Sequence, residues 1–316
     1  MNPYWKKTFF SFCALFFQRL WLLMSGELSF AELAPDEIQV FVLVFLSISS
    51  ALVGSFLVLR KMAMLANSLS HTILVGIALS YLIFGSLLDT KALLVASLVS
   101  GLLTVLLTHF FTHALRLQAE ASVGLVFTSL FALGVLLVTL FTRNVHLGVE
   151  AVMGNVDGLE FGDLKLAFGL FLLSSVSLAL FFKEFTVSAF DPELASLLGL
   201  FPGVCNLLLL LLASVTAVGA FRAVGVLLFL ALLVGPVLAA RLLTHKLKTL
   251  VVIAALLGSL CSFVAVALSR HILSAYGTAL STSGLITVVI GICFAFCLLA
   301  SRFKLARAEG LLIKKI

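Results

Sequence analysis

The chain is a series of long apolar runs separated by short polar segments. The runs approach 20 residues, whereas a strand of a membrane barrel needs only about 10. Runs of this length predict helices that cross a bilayer, because backbone groups in lipid must be paired within the segment or the bundle. The predicted spans are residues 38–59, 68–86, 92–112, 122–142, 164–183, 203–221, 223–243, 249–268 and 284–301.

The spans divide the chain into three parts. Residues 1–37 form an N-terminal extension, residues 38–301 a transmembrane domain, and residues 302–316 a basic tail. Residues 8–24 are apolar and follow two lysines, so a first span, an interfacial helix and a cleaved signal peptide all stay open for them. The predicted fold class is therefore an all-α polytopic membrane protein with about 9 to 10 transmembrane helices.

Glycine and proline residues predict breaks late in the chain. Gly219 and Gly225 flank Arg222, and the pair Gly235-Pro236 interrupts the next apolar run. Such breaks are tolerated in a membrane only where protein or water covers the freed backbone groups.

The composition excludes an ordinary soluble domain. Hydrophobic residues make up 62% of the chain and charged residues 11%, against about 25% charged in an average soluble domain. The 5 cysteines lie inside apolar runs without a CxxC pair, so they are expected to pack as small hydrophobic residues rather than to form a disulfide framework.

The net charge of +6 is better explained by membrane orientation than by nucleic acid. If the Arg60-Lys61 pair is cytoplasmic and the spans alternate, most basic residues fall on the cytoplasmic side, as the positive-inside rule requires. Membrane lipid is then an expected partner and nucleic acid is not. The cytoplasmic set is Lys6, Lys7, Arg60, Lys61, Arg116, Lys183, Arg241, Lys246, Lys248, Arg302, Lys304, Arg307, Lys314 and Lys315, and its first two members require residues 8–24 to cross.

Two pairs of polar residues are candidates for metal binding. Asn67 and His71 are four residues apart at the start of a span, so they share one face of a helix. Polar residues inside a span by default mark a substrate pathway. His146 and Glu150 have the same spacing in an outer loop, where they are either ligands at the point of ion entry or ordinary loop residues.

The segment FDPELASLLGL at residues 190–200 predicts a short helix on the cytoplasmic side. Asp191 can cap its N-terminus, Pro192 fits its first turn, and Glu193 favours its positive end. Gly199 can end it. From the residues alone, an ordinary capped connector and a docking element are both acceptable interpretations.

The chain lacks the motifs of several enzyme classes. No stretch matches GxxxxGK[ST], GxSxG or HExxH. Without a P-loop the chain has no cradle for nucleotide phosphates, so we do not expect it to hydrolyse ATP or to act as an enzyme by itself.

Four stretches between about Gly54 and Leu299 resemble the permease subunit of metal-type ABC transporters, the family (ABC-3) that imports zinc, manganese or iron. They are GSFLVLRKMAMLANSLSHTILVGIAL (54–79), EASVGLVFTSLFALGVLL (120–137), FDPELASLLGL (190–200) and AVGVLLFLALLVGPVLAARLL (223–243). The resemblance implies a multi-pass protein of the bacterial inner (plasma) membrane. It also implies a divalent metal ion as the transported substrate, with no permanently bound cofactor.

The resemblance assigns partners and roles. It implies a cytoplasmic ABC ATPase subunit, an extracytoplasmic metal-binding protein and a second permease, in a homo- or heterodimer. In this family the 190–200 segment is the coupling helix that docks into the ATPase, and an Asp–His pair lines the pathway. The implied coupling residues are Asp191, Pro192, Glu193, Ala195, Leu198 and Gly199, and the implied metal residues are His71 and Asn67.

The chain departs from the family pattern at Asn67, where the family has aspartate. A neutral amide binds a divalent cation more weakly than a carboxylate does in a medium of low dielectric constant. Either a different permease supplies the aspartate in a heteromeric pathway, or the site is suited to fast release. The alternatives to an ABC permease are a secondary transporter driven by an ion gradient, and a structural partner whose pathway a second permease completes.

Overall fold

The computed structural model describes residues 3–4, 7–29, 32–62, 90–141 and 156–313, with separate positions between 68 and 82. A 3-10 turn at Val156–Gly158 precedes the helix that begins at Phe161. No strand occurs among the described residues, so the predicted all-helical fold class is confirmed. The helices are α1 Phe9–Ser25, α2 Pro35–Leu59, α3 Thr90–His113, α4 Ala119–Phe141, α5 Phe161–Leu180, α6 Phe182–Phe190, α7 Pro192–Leu197, α8 Pro202–Leu243, α9 Leu247–Tyr276 and α10 Thr282–Ile313.

The predicted spans correspond closely to these helices. All except the second coincide with a described helix, and α8 contains two of them. The second, 68–86, lies largely outside the described residues, although its described positions are helical. In the described part of the chain, 7 helical stretches are long and apolar enough to cross a membrane.

Helix α2 is the centre of the bundle and packs against α5, α8 and α9. Small residues let the neighbouring backbones approach it, as is usual between membrane helices. At Gly54 a Cβ atom would overlap the Leu233 carbonyl oxygen of α8. Two serines of α2 bond within the helix, since the Ser55 hydroxyl donates to the Ala51 carbonyl oxygen at 2.6 Å and the Ser49 hydroxyl to the Phe45 carbonyl oxygen at 2.9 Å. The packing of α2 therefore combines small side chains, which allow the backbone of α8 to approach, with large buried ones such as Leu43, Leu46 and Phe56.

Helix α8 folds back on itself at Gly225, whose backbone angles are φ 77° and ψ 170°. Arg60 binds Asn206 near the start of α8, while Gly54, in the helix that leads to Arg60, lies against Leu233. A straight helix would place Asn206 and Leu233 about 40 Å apart. The predicted break is therefore present, and Gly225 provides it, because the required conformation is essentially restricted to glycine.

The second expected interruption, at Gly235-Pro236, is not observed, because α8 continues through both residues. A Cβ atom at Gly235 would overlap Ile290 of α10, and one at Gly258 of α9 would lie 3.2 Å from the Pro236 ring. These residues therefore allow three helices to approach closely rather than breaking one of them.

Two buried acids at the start of α2 anchor the end of the bundle that is predicted to face outside. Asp36 is fully buried and forms an ion pair with Arg270 of α9. Glu37 is 2% exposed and forms an ion pair with Arg19 of α1. Removing one partner of a buried pair typically costs about 3–5 kcal/mol, so these pairs hold α9 and α1 onto α2.

The contacts of the N-terminal extension favour the interfacial alternative for α1. The Tyr4 hydroxyl donates to Glu37 Oε1 at 2.7 Å, and Arg19 binds the same carboxylate. Tyr4 and Arg19 therefore lie at one end of α2, whereas a bilayer crossing between them would separate them. Lys7, whose backbone N–H donates to the Tyr4 carbonyl oxygen at 3.3 Å, lies near this same end of α2, whereas the count of basic residues expects it at the cytoplasmic end.

The substitution Gly225→Ala tests the fold of α8. We expect a loss of about 1–3 kcal/mol of stability, since a Cβ atom makes this backbone conformation strained. The measurement is thermal unfolding of the purified chain in mild detergent. Gly203→Ala in the same helix is the control, because nothing lies within 4 Å of its Cβ position. Equal melting temperatures for Gly225→Ala and the unmodified chain would contradict the assignment.

Candidate functional site

Helix α7 lies between α6 and α8 and has the caps predicted from the sequence. The Asp191 carboxylate accepts a hydrogen bond from the Leu194 backbone N–H at 2.9 Å, and Pro192 occupies the first turn. Gly199 follows with φ +77°, the left-handed conformation that ends helices. The local sequence therefore determines where α7 begins and ends.

The surface of α7 is more apolar than a solvent-exposed connector requires. Leu194, Leu197 and Leu198 are exposed, Leu197 by 85%, while Ala195 is completely buried against the bundle. Glu193 is exposed on the same element. Adjoining exposed apolar residues are typical of interaction surfaces for another protein or for a membrane. Of the six predicted coupling residues, the structure places five at the surface and Ala195 beneath it.

Arg60, directly after α2, joins three elements at the base of α7. Its Nη1 donates to Asn206 Oδ1 of α8 at 2.6 Å, and its Nη2 donates to Ser188 Oγ of α6 at 2.7 Å. Burial lowers the pKa of the Arg60 guanidinium, because removal from water disfavours the charged form. Both acceptors are neutral, so the contact is a charge-assisted hydrogen-bonded joint rather than an ion pair.

The sequence reasoning missed this joint, although one signal for it was present. Asn206 is a single polar residue at the start of the apolar run 203–221. An isolated amide of this kind in a membrane helix needs a hydrogen-bonding partner. Its partner, Arg60, is distant in the chain, so only the tertiary structure connects them.

His71 lies among the aromatic rings of α4. Its ring centroid is 5.3 Å from that of Phe127 and 5.5 Å from that of Phe131. The next residue, Thr72, accepts a hydrogen bond from Thr104 Oγ1 of α3 at 2.8 Å. The segment that carries His71 is thus positioned against α3 and α4, and His71 faces α4 with its ring partly exposed.

The remaining predicted metal residues cannot be placed beside His71. Asn67, His146 and Glu150 lie outside the described residues. Within the described ranges, no group of three His, Cys, Asp or Glu side chains could hold a metal ion. The pairing of Asn67 with His71 therefore stays a prediction from helical spacing.

Comparison with known proteins identifies relatives along nearly the whole chain. The model of the ABC 3 transport family matches residues 38–303. A "probable metal transport system membrane protein" of Chlamydia trachomatis is 39% identical, covering 100% of this chain and 98% of the relative. The manganese transport system membrane protein MntD of Bacillus subtilis is 34% identical over 86% of this chain and 92% of its own. The zinc transport system membrane protein TroD of Treponema pallidum is 36% identical over 76% and 69%.

A solved structure has the same fold. The chain superimposes on PsaBC from Streptococcus pneumoniae, determined in complex with a Fab, with a TM-score of 0.69. The match covers 84% of this chain and 92% of that chain at 22% sequence identity. Likeness at this level of identity concerns the arrangement of the helices.

The substitution Arg60→Lys tests the joint below α7. A lysine ammonium lacks the planar fork that reaches two acceptors, so we expect the loss of at least one charge-assisted hydrogen bond, about 1.5–3 kcal/mol. Hydrogen exchange should accelerate in α6 and α7, and the melting temperature should fall. Arg241→Lys, at an exposed position at the end of α8, is the control. Unchanged exchange in α6 and α7 of Arg60→Lys would show that the joint has no such role.

Proposed function

Because the chain belongs to the ABC 3 transport family, we propose that it is the membrane-spanning permease of an ATP-binding cassette importer that carries a divalent transition metal into the cytoplasm. A separate subunit hydrolyses ATP. The observation that carries this proposal is α7, a capped helix with exposed leucines, in a chain whose family match spans 38–303. The membrane is the bacterial inner membrane.

Helix α7 is the element through which the ATPase acts on the permease. Leu194, Leu197 and Leu198 enter a groove of the ATPase, while the buried Ala195 fixes α7 to the bundle. Arg60 then connects this region to α2 and α8 through Ser188 and Asn206. When α7 moves, α6, α8 and the end of α2 therefore move with it as one unit. Such a movement is compatible with rocking of two permease halves around a central path.

His71 and Asn67 are the pathway residues of this permease. The neutral imidazole supplies one nitrogen ligand to the passing ion, and the Asn67 amide supplies one oxygen. Phe127 and Phe131 confine the imidazole on the α4 side. Two neutral ligands bind the ion weakly, which suits transit better than storage.

The transported metal is zinc, manganese or iron. One relative is named for manganese transport and another for zinc transport, so the family includes carriers of both ions. Imidazole and amide ligands suit each of these ions. An extracytoplasmic binding protein delivers the ion, and His146 and Glu150 are candidate ligands where it enters. A second permease completes the pathway.

One observation favours a heteromeric pathway as a second candidate. Asn67 stands where the family has a carboxylate, so a different permease that keeps the aspartate would restore an anionic ligand. In that assembly this chain supplies the coupling helix and half of the pathway.

The substitution Leu197→Asp tests the coupling role of α7. A charge at the centre of an apolar docking surface should weaken binding of the ATPase at least about tenfold and reduce ATP-driven uptake accordingly. The measurements are co-purification of the ATPase and metal uptake into proteoliposomes. Leu115→Asp, an exposed leucine in the turn between α3 and α4, is the matched control. Normal ATPase binding by Leu197→Asp would exclude this docking surface.

The substitutions His71→Ala and Asn67→Asp test the pathway. We expect His71→Ala to lower uptake of radioactive zinc, manganese or iron at least about tenfold, since a direct ligand is lost. Asn67→Asp should raise metal occupancy, because a carboxylate replaces an amide. The control is His245→Ala, an exposed residue between α8 and α9. Wild-type transport by His71→Ala would rule out the pathway assignment without affecting the coupling proposal, and uptake without any ATPase would instead support a secondary transporter.

A further inference from the structure

An open groove of about 770 Å³ lies between α2, α5, α6 and α9. This volume is within the range of about 300–1,000 Å³ that is typical of ligand sites in proteins. Most of the wall is apolar, and each helix contributes to it, with Leu52 from α2, Leu178 from α5, Phe182 from α6 and Val252 from α9. The groove is separate from His71 and from the exposed face of α7.

Two lysines stand on the wall of the groove, Lys183 from α6 and Lys248 from α9. Both are exposed, and neither forms an ion pair among the residues that the structure describes. No acidic residue is among the lining residues. The hydroxyl of Thr186, which also lines the groove, donates to the Phe182 carbonyl oxygen at 2.6 Å. The polar side of the groove is therefore cationic and lacks a partner of opposite charge.

The groove lies beside helix ends that the span prediction puts at the cytoplasmic boundary of the membrane, where lipid headgroups meet acyl chains. Lys183 follows the end of α5 and Lys248 lies in the first turn of α9, at the end of the bundle that carries α7. Leu180 at the end of α5 and Leu256 of α9 are exposed apolar residues on the surface of the bundle. A ligand in this groove thus has its apolar part beside lipid and its charged part near water.

We propose that this groove binds an anionic phospholipid. An acyl chain lies against Leu52, Leu178 and Val252, and the phosphate lies between Lys183 and Lys248. Basic pockets between membrane helices on the cytoplasmic side are known to hold anionic headgroups. A purely apolar partner would leave both ammonium groups without a counter-charge, whereas a phospholipid supplies both kinds of contact.

The bound lipid supports α6, the helix that leads into α7. Lys183 and Phe182 of α6 line the groove, while Phe182 and Phe185 both pack on Phe56 of α2, with ring centroids 5.8 and 5.9 Å apart. Lipid on one side and α2 on the other therefore hold α6 in place. An anionic lipid would thus be a structural component of the unit that carries the docking helix.

The test is retention of lipid by the full-length chain. The chain is purified from vesicles of phosphatidylcholine mixed with phosphatidylglycerol, and bound lipids are counted by native mass spectrometry. We expect preferential retention of phosphatidylglycerol, with a loss of about fivefold for each of Lys183→Gln and Lys248→Gln. Lys183→Arg and Lys248→Arg should retain it. Lys246→Gln, exposed at the same end but outside the groove, is the charge control.

A second variant tests the apolar part without changing the charge. Ala179→Trp fills the groove and should displace the lipid, whereas Val176→Trp, on the same helix but not lining the groove, should not. Unselective retention of the two lipids by the unmodified chain would overturn the proposal. So would retention of phosphatidylglycerol by folded Ala179→Trp or by the folded double lysine variant, or coverage of Val252 by a second protein chain in cross-linking. Lipid retention does not require transport, so this result is independent of the proposed function.

Discussion

The close approach of neighbouring backbones to α2 is the constraint on which the rest of the bundle depends. At Gly54 the backbone of α8 comes so near that a single added carbon would overlap a carbonyl oxygen. In a lipid environment such proximity stabilises the pair of helices, because dispersion contacts rather than exclusion of water hold helices together. Helices α5, α8 and α9 surround α2, so an error in this packing would displace most of the bundle.

The charged residues at the two ends of α2 are bound in different ways. At the end predicted to be outside, Asp36 and Glu37 are buried and depend on the arginines Arg270 and Arg19. At the other end, the half-buried Arg60 donates to the neutral oxygens of Asn206 and Ser188 within the described part of the chain. The first arrangement anchors helices firmly, whereas the second ties α6 and α8 to α2 without a strong ion pair. Among the residues that the structure describes, the end that carries α7 is thus tied to α2 by charge-assisted hydrogen bonds.

Helix α7, which we propose docks the ATPase, and the segment around His71, which we propose lines the pathway, differ in how much of their structure is local. Helix α7 is defined by its own caps, since Asp191 and Gly199 lie at its ends. The surroundings of His71, in contrast, come from another helix, because its ring contacts Phe127 and Phe131 of α4. A short self-contained element can be recognised from a motif, but a pathway is defined by the elements that surround it.

The amino-acid sequence by itself determined the all-helical membrane fold, most span boundaries and the caps of α7, because these follow from apolar run length and from interactions within a few residues. It also predicted a break near Gly225, but not that Pro236 would remain inside a continuous helix, where Gly235 faces Ile290 of α10 and Gly258 of α9 faces the Pro236 ring. The position of α1 was open in the sequence, because an apolar run of 17 residues suits both a short span and an interfacial helix. Only the tertiary structure brought Tyr4 and Arg19 to one buried carboxylate and Arg60 to Asn206, because such pairs join residues distant in the chain and leave no periodic signal.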